Sequence, residues 1–257
     1  MSKPLSAAAL LLLLARPALA LDVSSCETVV PPGEEAHLVG DLVCSSGATG
    51  VVLGPRATLH LDGRSIEGGS VGVDCTTCTV LGPGEIRGQS LVGIGGRRVT
   101  VEGVTVHSAS GGVANGIGAR VLTVRDSVVR DCAGIGISAK KLVATNVDVL
   151  RSGLHGIQTN TLDGTDLLVE DNGERGITTL GPLDLTQAVV RRNSVGIWSQ
   201  RGSVTITDSE IVQSGEAPSY DQNPDLIARR APVVANTVCG RSQIGTTLGT
   251  WGVCTND

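Results

Sequence analysis

Apolar residues recur along this chain in a fixed frame. A glycine followed by Val or Ile stands at Gly50, Gly72, Gly93, Gly116, Gly136, Gly156, Gly176 and Gly196, with successive steps of 22, 21, 23, 20, 20, 20 and 20 residues. Within a step the apolar positions keep their offsets. From Ile137 they are Leu142, Ala144, Val147 and Val149; from Ile157 they are Leu162, Gly164, Leu167 and Val169, in each case 5, 7, 10 and 12 residues on. From Ile177 the set Leu183, Leu185, Ala188 and Val190 is shifted by one residue, and Ile117 is followed by Leu122, Val124 and Val129. Alternation within each set has the period of a strand, and no stretch holds a helical period for long.

A repeat of this length cannot bury its apolar face alone, and stacking identical units does so. Coils stacked in register set like residues above one another at about 4.8 Å, the spacing of hydrogen-bonded strands. Each strand returns one coil later in the same direction, so the sheets are parallel, and such crossovers are overwhelmingly right-handed. The predicted fold is therefore all-β: a single-stranded right-handed parallel β-helix, a solenoid of about eight coils spanning residues 50–214. An open stack exposes strand edges that must be covered. Residues 21–49 and 215–257, which lack the repeat, are the predicted N-terminal and C-terminal caps.

Composition agrees with a narrow core. The chain has 35 glycines, no phenylalanine and only Trp198, Tyr220 and Trp251 as aromatic residues, whereas a sandwich or bundle of this length normally fills its interior with large rings. Residues 1–20 read as a signal peptide: Lys3, an apolar run ending in Leu10 to Leu14, and the small-x-small site Ala18-Leu19-Ala20. That run is too short to span a bilayer. Cleavage would remove Lys3 and Arg16, taking 20 basic residues to 18 against 25 acidic ones, a net charge of −7. A secreted protein with no membrane span is expected, periplasmic or extracellular. Its surface disfavours nucleic acid, and an acidic polysaccharide would need bridging cations or a local basic patch.

The repeat resembles that of the right-handed β-helix proteins, the superfamily that includes pectate lyases, polygalacturonases and many uncharacterised exported bacterial proteins. The resemblance covers about residues 50–214, and the tail from Asn236-Thr-Val-Cys239-Gly to Trp251-Gly-Val-Cys254-Thr-Asn-Asp is similar to the closing segment of bacterial members. It implies the fold and no particular activity, because this scaffold hosts many functions. The family's catalytic signatures are missing. His155-Gly156 lacks the first glycine of the polygalacturonase Gly-His-Gly, with Leu154 in its place, and the paired-aspartate motif is absent. So are the arginine-proline signature of pectate lyases and the Asp-Pro-His-Asp of alginate epimerases. No HExxH, P-loop or Gly-x-Ser-x-Gly occurs either.

Stacking turns sequence offsets into surface columns. Asp126, Asn146, Asp166, Gln187 and Asp208 fall one per coil after the second strand; Asp126, Asp166 and Asp208 are candidate ligand-binding residues, weighed against the preference of Asp and Asn for tight turns. Asp131, Arg151, Asp171 and Arg192 form the next column. They read first as an ion ladder, and in a polysaccharide lyase as a Ca²⁺-holding and proton-abstracting set, which makes them the candidate catalytic residues. Thr145, Thr165, Thr186 and Thr207 would suggest ice binding, but the companion column Thr123, Val143, Asp163, Asp184 and Thr205 breaks the pattern and leaves β-branched strand preference. Asn172 and Asn193, with Ser152 and Cys132 in earlier coils, can form a bonded amide stack. Trp198 points outward, toward a ligand or the C-terminal cap.

Seven cysteines in an exported chain favour disulfides over metal. Proximity pairs Cys26 with Cys44 and Cys239 with Cys254. Cys75-Thr-Thr-Cys78 is open to a tight bridge, a redox pair or reduced thiols, and Cys132 is the odd one. His37, His60, His107 and His155 are scattered and Met1 is the only methionine, so no metal site and no cofactor is expected; Ca²⁺ enters only with the enzyme alternative. The sequence thus leans toward a non-catalytic protein that binds or scaffolds extracellular polysaccharide or other surface material. The alternative is a polysaccharide lyase or glycoside hydrolase using the Asp/Arg ladder.

Overall fold

A computed structural model describes residues 20–107, 114–212 and 224–245, together with the backbone of 247–249. The described residues are all-β, without a helix, and wind into a parallel β-solenoid of about nine turns. In the middle of the stack almost an entire coil is one bent strand: Val71–Arg87, Val92–His107, Asn115–Arg130, Ile137–Leu150 and Ile157–Glu170. Above and below, each coil divides into three short strands, as in Thr49–Leu53, Ala57–His60 and Ser65–Gly68. Three parallel sheets result, called first, second and third here in coil order.

The predicted register holds. Leu122, Leu142, Leu162, Leu183 and Val204 are successive strand partners in the second sheet. In the first sheet Ile94, Ile117, Ile137, Ile157, Ile177 and Ile197 do the same, each fully buried. Full burial of such a side chain contributes roughly 1.5–3 kcal/mol, and every coil repeats it, so one continuous aliphatic core runs the length of the stack. Parallel pairing also reaches beyond the glycine repeat. Thr28–Val30, Glu35–Leu38 and Leu42–Cys44 lie under Thr49–Leu53, Ala57–His60 and Ser65–Gly68. Leu226–Ala228, Val233–Ala235 and Val238–Cys239 lie over the strands that begin at Val195, Val204 and Glu210. These segments keep the inward alternation without the Gly-Val marker. Ser242–Ile244 closes this end and pairs antiparallel with Thr247–Gly249.

The recurring glycine has a direct physical cause. A Cβ built on Gly116, Gly136, Gly156 or Gly176 would lie 2.6–2.8 Å from the carbonyl oxygen of the equivalent glycine one coil on, and as close to a valine methyl of the third sheet. Any side chain there would push two coils apart. Left-handed residues stand at the corner between the second and third sheets and at the start of the connection that leads from the third sheet to the glycine. Asp126, Asn146, Asp166, Gln187 and Asp208 have φ of 48–56°, and Asp131, Arg151, Asp171 and Arg192 have φ of 51–58°. Asp and Asn tolerate that region because their short polar side chains bond locally.

Inside the corner after the third sheet, Asn172 and Asn193 are buried and their amides form the expected stack: Asn172 Nδ2 donates to Asn193 Oδ1 at 2.9 Å, and Asn193 Nδ2 donates to the Val169 and Arg191 carbonyls. Ser152 continues the column through its N–H, which donates to Asn172 Oδ1. Cys132, also in this column, is buried, with its thiol 3.5 Å from the Arg130 carbonyl. The Cys26–Cys44 and Cys75–Cys78 disulfides are both formed, the latter with both cysteines buried at the corner between the first and second sheets. Cys239 is disulfide-bonded; its expected partner Cys254 lies outside the described residues, as do Trp251, Tyr220 and almost all of the expected signal peptide. No described helix is long and apolar enough to cross a membrane.

The glycine account predicts an asymmetry. Gly136→Ala should destabilise by roughly 1–3 kcal/mol through overpacking, while Gly40→Ala, whose Cβ meets nothing within 4 Å, should stay within about 0.5 kcal/mol of wild type. Urea denaturation of the two variants compares them directly, and equal costs would contradict the close-approach explanation.

Candidate functional site

The residues singled out for catalysis neutralise one another. Arg151 Nε and Nη2 donate to Asp131 Oδ1 and Oδ2 at 2.7 and 3.1 Å, and Arg192 makes the same two-pronged contact with Asp171 at 2.9 and 3.1 Å. Arg192 also contacts Glu170, which Arg191 approaches from the neighbouring position. The Arg151 hydrogen bond holds the Asp131 carboxyl below the usual carboxylate range, against a smaller opposing effect of desolvation, and Asp131 in turn raises Arg151. Each acid here is matched by a guanidinium one coil above it.

Two aspartates of the preceding corner, Asp126 and Asp208, likewise bond to an amide one coil on. Asn146 Nδ2 donates to Asp126 Oδ1 at 2.7 Å, and Asn236 Nδ2 donates to Asp208 Oδ1 at 2.9 Å. Asp126 and Asp166 stand two coils apart with Asn146 between them. Trp198 is half-buried: the Arg175 guanidinium lies 3.6 Å from its ring centroid, and Ile227 is its strand partner on the next coil. One face of the indole is therefore occupied by a cation rather than open as a stacking platform. A small cleft of about 300 Å³ borders it, lined by Gln200, Ala228, Arg229 and Gly245 among others. His155 is also half-buried, with Nδ1 3.3 Å from Glu174 Oε2, and desolvation pushes its pKa down.

A different corner gathers exposed cations from consecutive coils. Between the first and second sheets the residue two before each inward anchor of the second sheet is Thr76, Arg97, Arg120, Lys140 and Asn160, and the residue one before is Thr77, Arg98, Val121, Lys141 and Thr161. Register stacks the second set directly: Thr77 over Arg98, then Val121, Lys141 and Thr161. Arg97, Arg98, Arg120, Lys140 and Lys141 are all exposed. None of the five makes an ion pair among the described residues, while Arg87, Arg130, Arg151, Arg191 and Arg192 all do.

Two adjoining clefts follow this ridge. One, of about 440 Å³, is lined by Thr76, Thr77, Arg97, Arg98, Arg120 and Val121. The other, of about 410 Å³, is bounded by Arg120, Lys140, Asn160 and Leu180 and floored by Ser138 and Gln158. The floor belongs to an outward column of the first sheet, Gly95, Gly118, Ser138, Gln158 and Thr178. Its small and polar side chains leave a shallow trough beside the cations. No carboxylate lines either cleft or the one beside Trp198. The arrangement can hold an extended anion and offers it hydroxyl and amide partners. It supplies no pair of acids for glycosidic chemistry.

The five cations were legible in principle, since they occupy fixed offsets from Val99, Leu122 and Leu142 in three consecutive coils. The whole-chain negative charge concealed them.

No protein-family model matches the chain, and no curated protein is similar in sequence. Among solved structures the chain is similar to pectate lyase Pel9A, at 12% identity over 83% of this chain and 68% of that one, with a TM-score of 0.49. It is also similar to the A-module of the Azotobacter vinelandii mannuronan C-5 epimerase AlgE4, at 15% identity over 87% and 81% of the two chains, with a TM-score of 0.36.

The ion ladder makes a signed prediction. A carboxyl held below its unfolded value stabilises the fold above a pH of about 4 and loses that contribution as pH falls through the lowered value. Arg151→Ala should thus cost about 0.2–1 kcal/mol at neutral pH, the range for an exposed pair, and its deficit against wild type should shrink as the pH falls below about 4. Denaturant titrations at neutral and acid pH measure both, and a deficit that persists unchanged in acid would contradict the assignment.

Proposed function

We propose that this protein is an exported, non-catalytic binder of acidic extracellular polysaccharide, and that the ligand lies along the trough of the first sheet against Arg97, Arg98, Arg120, Lys140 and Lys141. The observation that carries the reading is the stack of five exposed cations, none ion-paired among the described residues, on one corner of a chain whose net charge is −5. Guanidinium and ammonium groups one coil apart, at about 4.8 Å, suit a polymer that repeats a carboxylate along its length, and arginine favours two-pronged contacts with such groups. Ser138, Gln158 and Asn160 add donors and acceptors for sugar hydroxyls. A local basic patch is the feature an acidic chain needs for this ligand without bridging cations. The reading also accords with the absence of carboxylates from the clefts and with the mutual neutralisation of Asp131, Arg151, Asp171 and Arg192. Disulfides at Cys26–Cys44 and Cys75–Cys78 fit an oxidising compartment.

The test is retention on polygalacturonate, alginate and a neutral glucan. Wild type should bind the two polyuronates and not the glucan, with affinity falling as salt rises from about 0.05 to 0.5 M because the contacts are screened. Arg98→Glu with Lys141→Glu should weaken binding about tenfold or more, equivalent to 1.4 kcal/mol, while Arg151→Ala should not. Equal retention on the neutral glucan, preference for duplex DNA, or indifference to the ridge substitutions would overturn the proposal. Release of an unsaturated uronate, absent in Arg151→Ala, would establish the enzyme alternative instead.

A further inference from the structure

The histidines, scattered in sequence, are not all scattered in space. Glu35–Leu38 and Ala57–His60 are parallel neighbours in the first two coils, with His37 opposite His60. Ala36, Leu38 and Leu59 are buried, so alternation turns Glu35, His37 and His60 to the outer face. The two imidazoles stack with ring centroids 4.4 Å apart and planes 4° from parallel. Asp62, held in the left-handed region at φ 50°, brings its Oδ2 to 2.6 Å from His37 Nδ1. One ligand atom from each of Glu35, His37 and His60 lies within 4.8 Å of the others.

We propose that Glu35, His37 and His60 form a binding site for a divalent transition-metal ion of the zinc class, with Asp62 as the positioning residue. The donor set selects the ion: two imidazole nitrogens and one carboxylate suit Zn²⁺ and its neighbours, whereas Ca²⁺ and Mg²⁺ take oxygen ligands. Asp62 accepting from the Nδ1–H of His37 fixes the tautomer that leaves Nε2 as the coordinating atom, an arrangement that orients metal-binding histidines widely. His60 Nε2 is shielded from solvent and has no hydrogen-bond partner, so its desolvation is uncompensated until something accepts its lone pair or proton. Metal–ligand distances of about 2.0–2.2 Å would draw the three donors together and turn the stacked rings toward a common point, and the exposure of Glu35 and partial exposure of both histidines leave the side chains room to turn. Asp22, the strand partner of His37 on its other side, adds a further carboxylate that favours a cation here.

The position gives the ion a role. It would clamp the first two coils together on their outer face, toward the N-terminal end of the stack. With three protein ligands the fourth position stays open to water or an exogenous donor.

Isothermal titration of untagged protein with Zn²⁺ tests this directly. One ion per chain should bind with a dissociation constant of about 1 μM or tighter, and saturating metal should raise the melting temperature by several degrees. His37→Ala and His60→Gln should each weaken binding at least about tenfold, as should Asp62→Asn through loss of orientation, while His107→Ala and His155→Ala should match wild type. X-ray absorption of the zinc-loaded wild-type protein should show two imidazoles in the first shell, a readout independent of how any variant folds. Absence of saturable binding, unchanged affinity in both histidine variants, or a shell of oxygen or sulfur alone would overturn the proposal.

Discussion

The structure depends on how closely adjacent coils can approach at one corner. Parallel strands hydrogen-bond at a fixed separation of about 4.8 Å, so a coil cannot relax outward to admit a side chain where its backbone turns against the next. At Gly116, Gly136, Gly156 and Gly176 the space for a Cβ is already filled by a carbonyl oxygen from the following coil and a valine methyl of the third sheet. Everything else is set relative to that contact. The isoleucine that follows each glycine is aimed inward, and the offsets that follow place the anchors of the second and third sheets. Two further points on each coil, one between the second and third sheets and one just after the third, then need a left-handed residue.

Those corners show how the surface is divided by the fold. A left-handed position favours Asp or Asn, which explains four of the five residues from Asp126 to Asp208 without a ligand. After the third sheet the same conformation falls on Asp131, Arg151, Asp171 and Arg192, where alternation of sign lets every guanidinium grip the acid one coil away. Charges that are engaged along the stack are unavailable to a substrate. The corner between the first and second sheets has no positive-φ requirement at Arg97, Arg98, Arg120, Lys140 or Lys141, and none of the five forms an ion pair among the described residues. Neither turn geometry nor ion pairing accounts for these five exposed cations on an acidic protein, and the proposed polyanion would give them a partner.

The fold was legible because its cause is local and repeated. A glycine every twenty or so residues, an inward Ile or Val after it and Leu at a fixed offset recur in enough coils to outweigh any irregular one, and Leu142, Leu162 and Leu183 fall in register as their offsets require. The Asn172–Asn193 stack and the Cys26–Cys44 disulfide followed from the same columns or from spacing, whereas spacing left Cys75 and Cys78 open among three states, of which the bridge is the one formed. The ends were less legible: Thr28–Val30 to Leu42–Cys44 and Leu226–Ala228 to Val238–Cys239 join the parallel stack although the glycine marker has lapsed, because alternation alone suffices to keep a strand in register. The basic ridge escaped because net charge averages over a surface that the coils keep separate.

His37 and His60 illustrate the remaining gap and its remedy. They stand 23 residues apart, with His37 ahead of the first Gly-Val marker at Gly50 and His60 after it, so no repeat offset linked them. Yet once Glu35–Leu38 is known to lie under Ala57–His60, their contact is dictated by parallel pairing, as is the approach of Asp62 from the turn that follows. In a solenoid, chemistry is assembled by vertical neighbours whose separation equals one coil, and coil length varies most near the ends. A search for function in such a chain must therefore settle the register of each coil before asking which side chains meet, because a column displaced by one residue turns an outward ligand into an inward anchor.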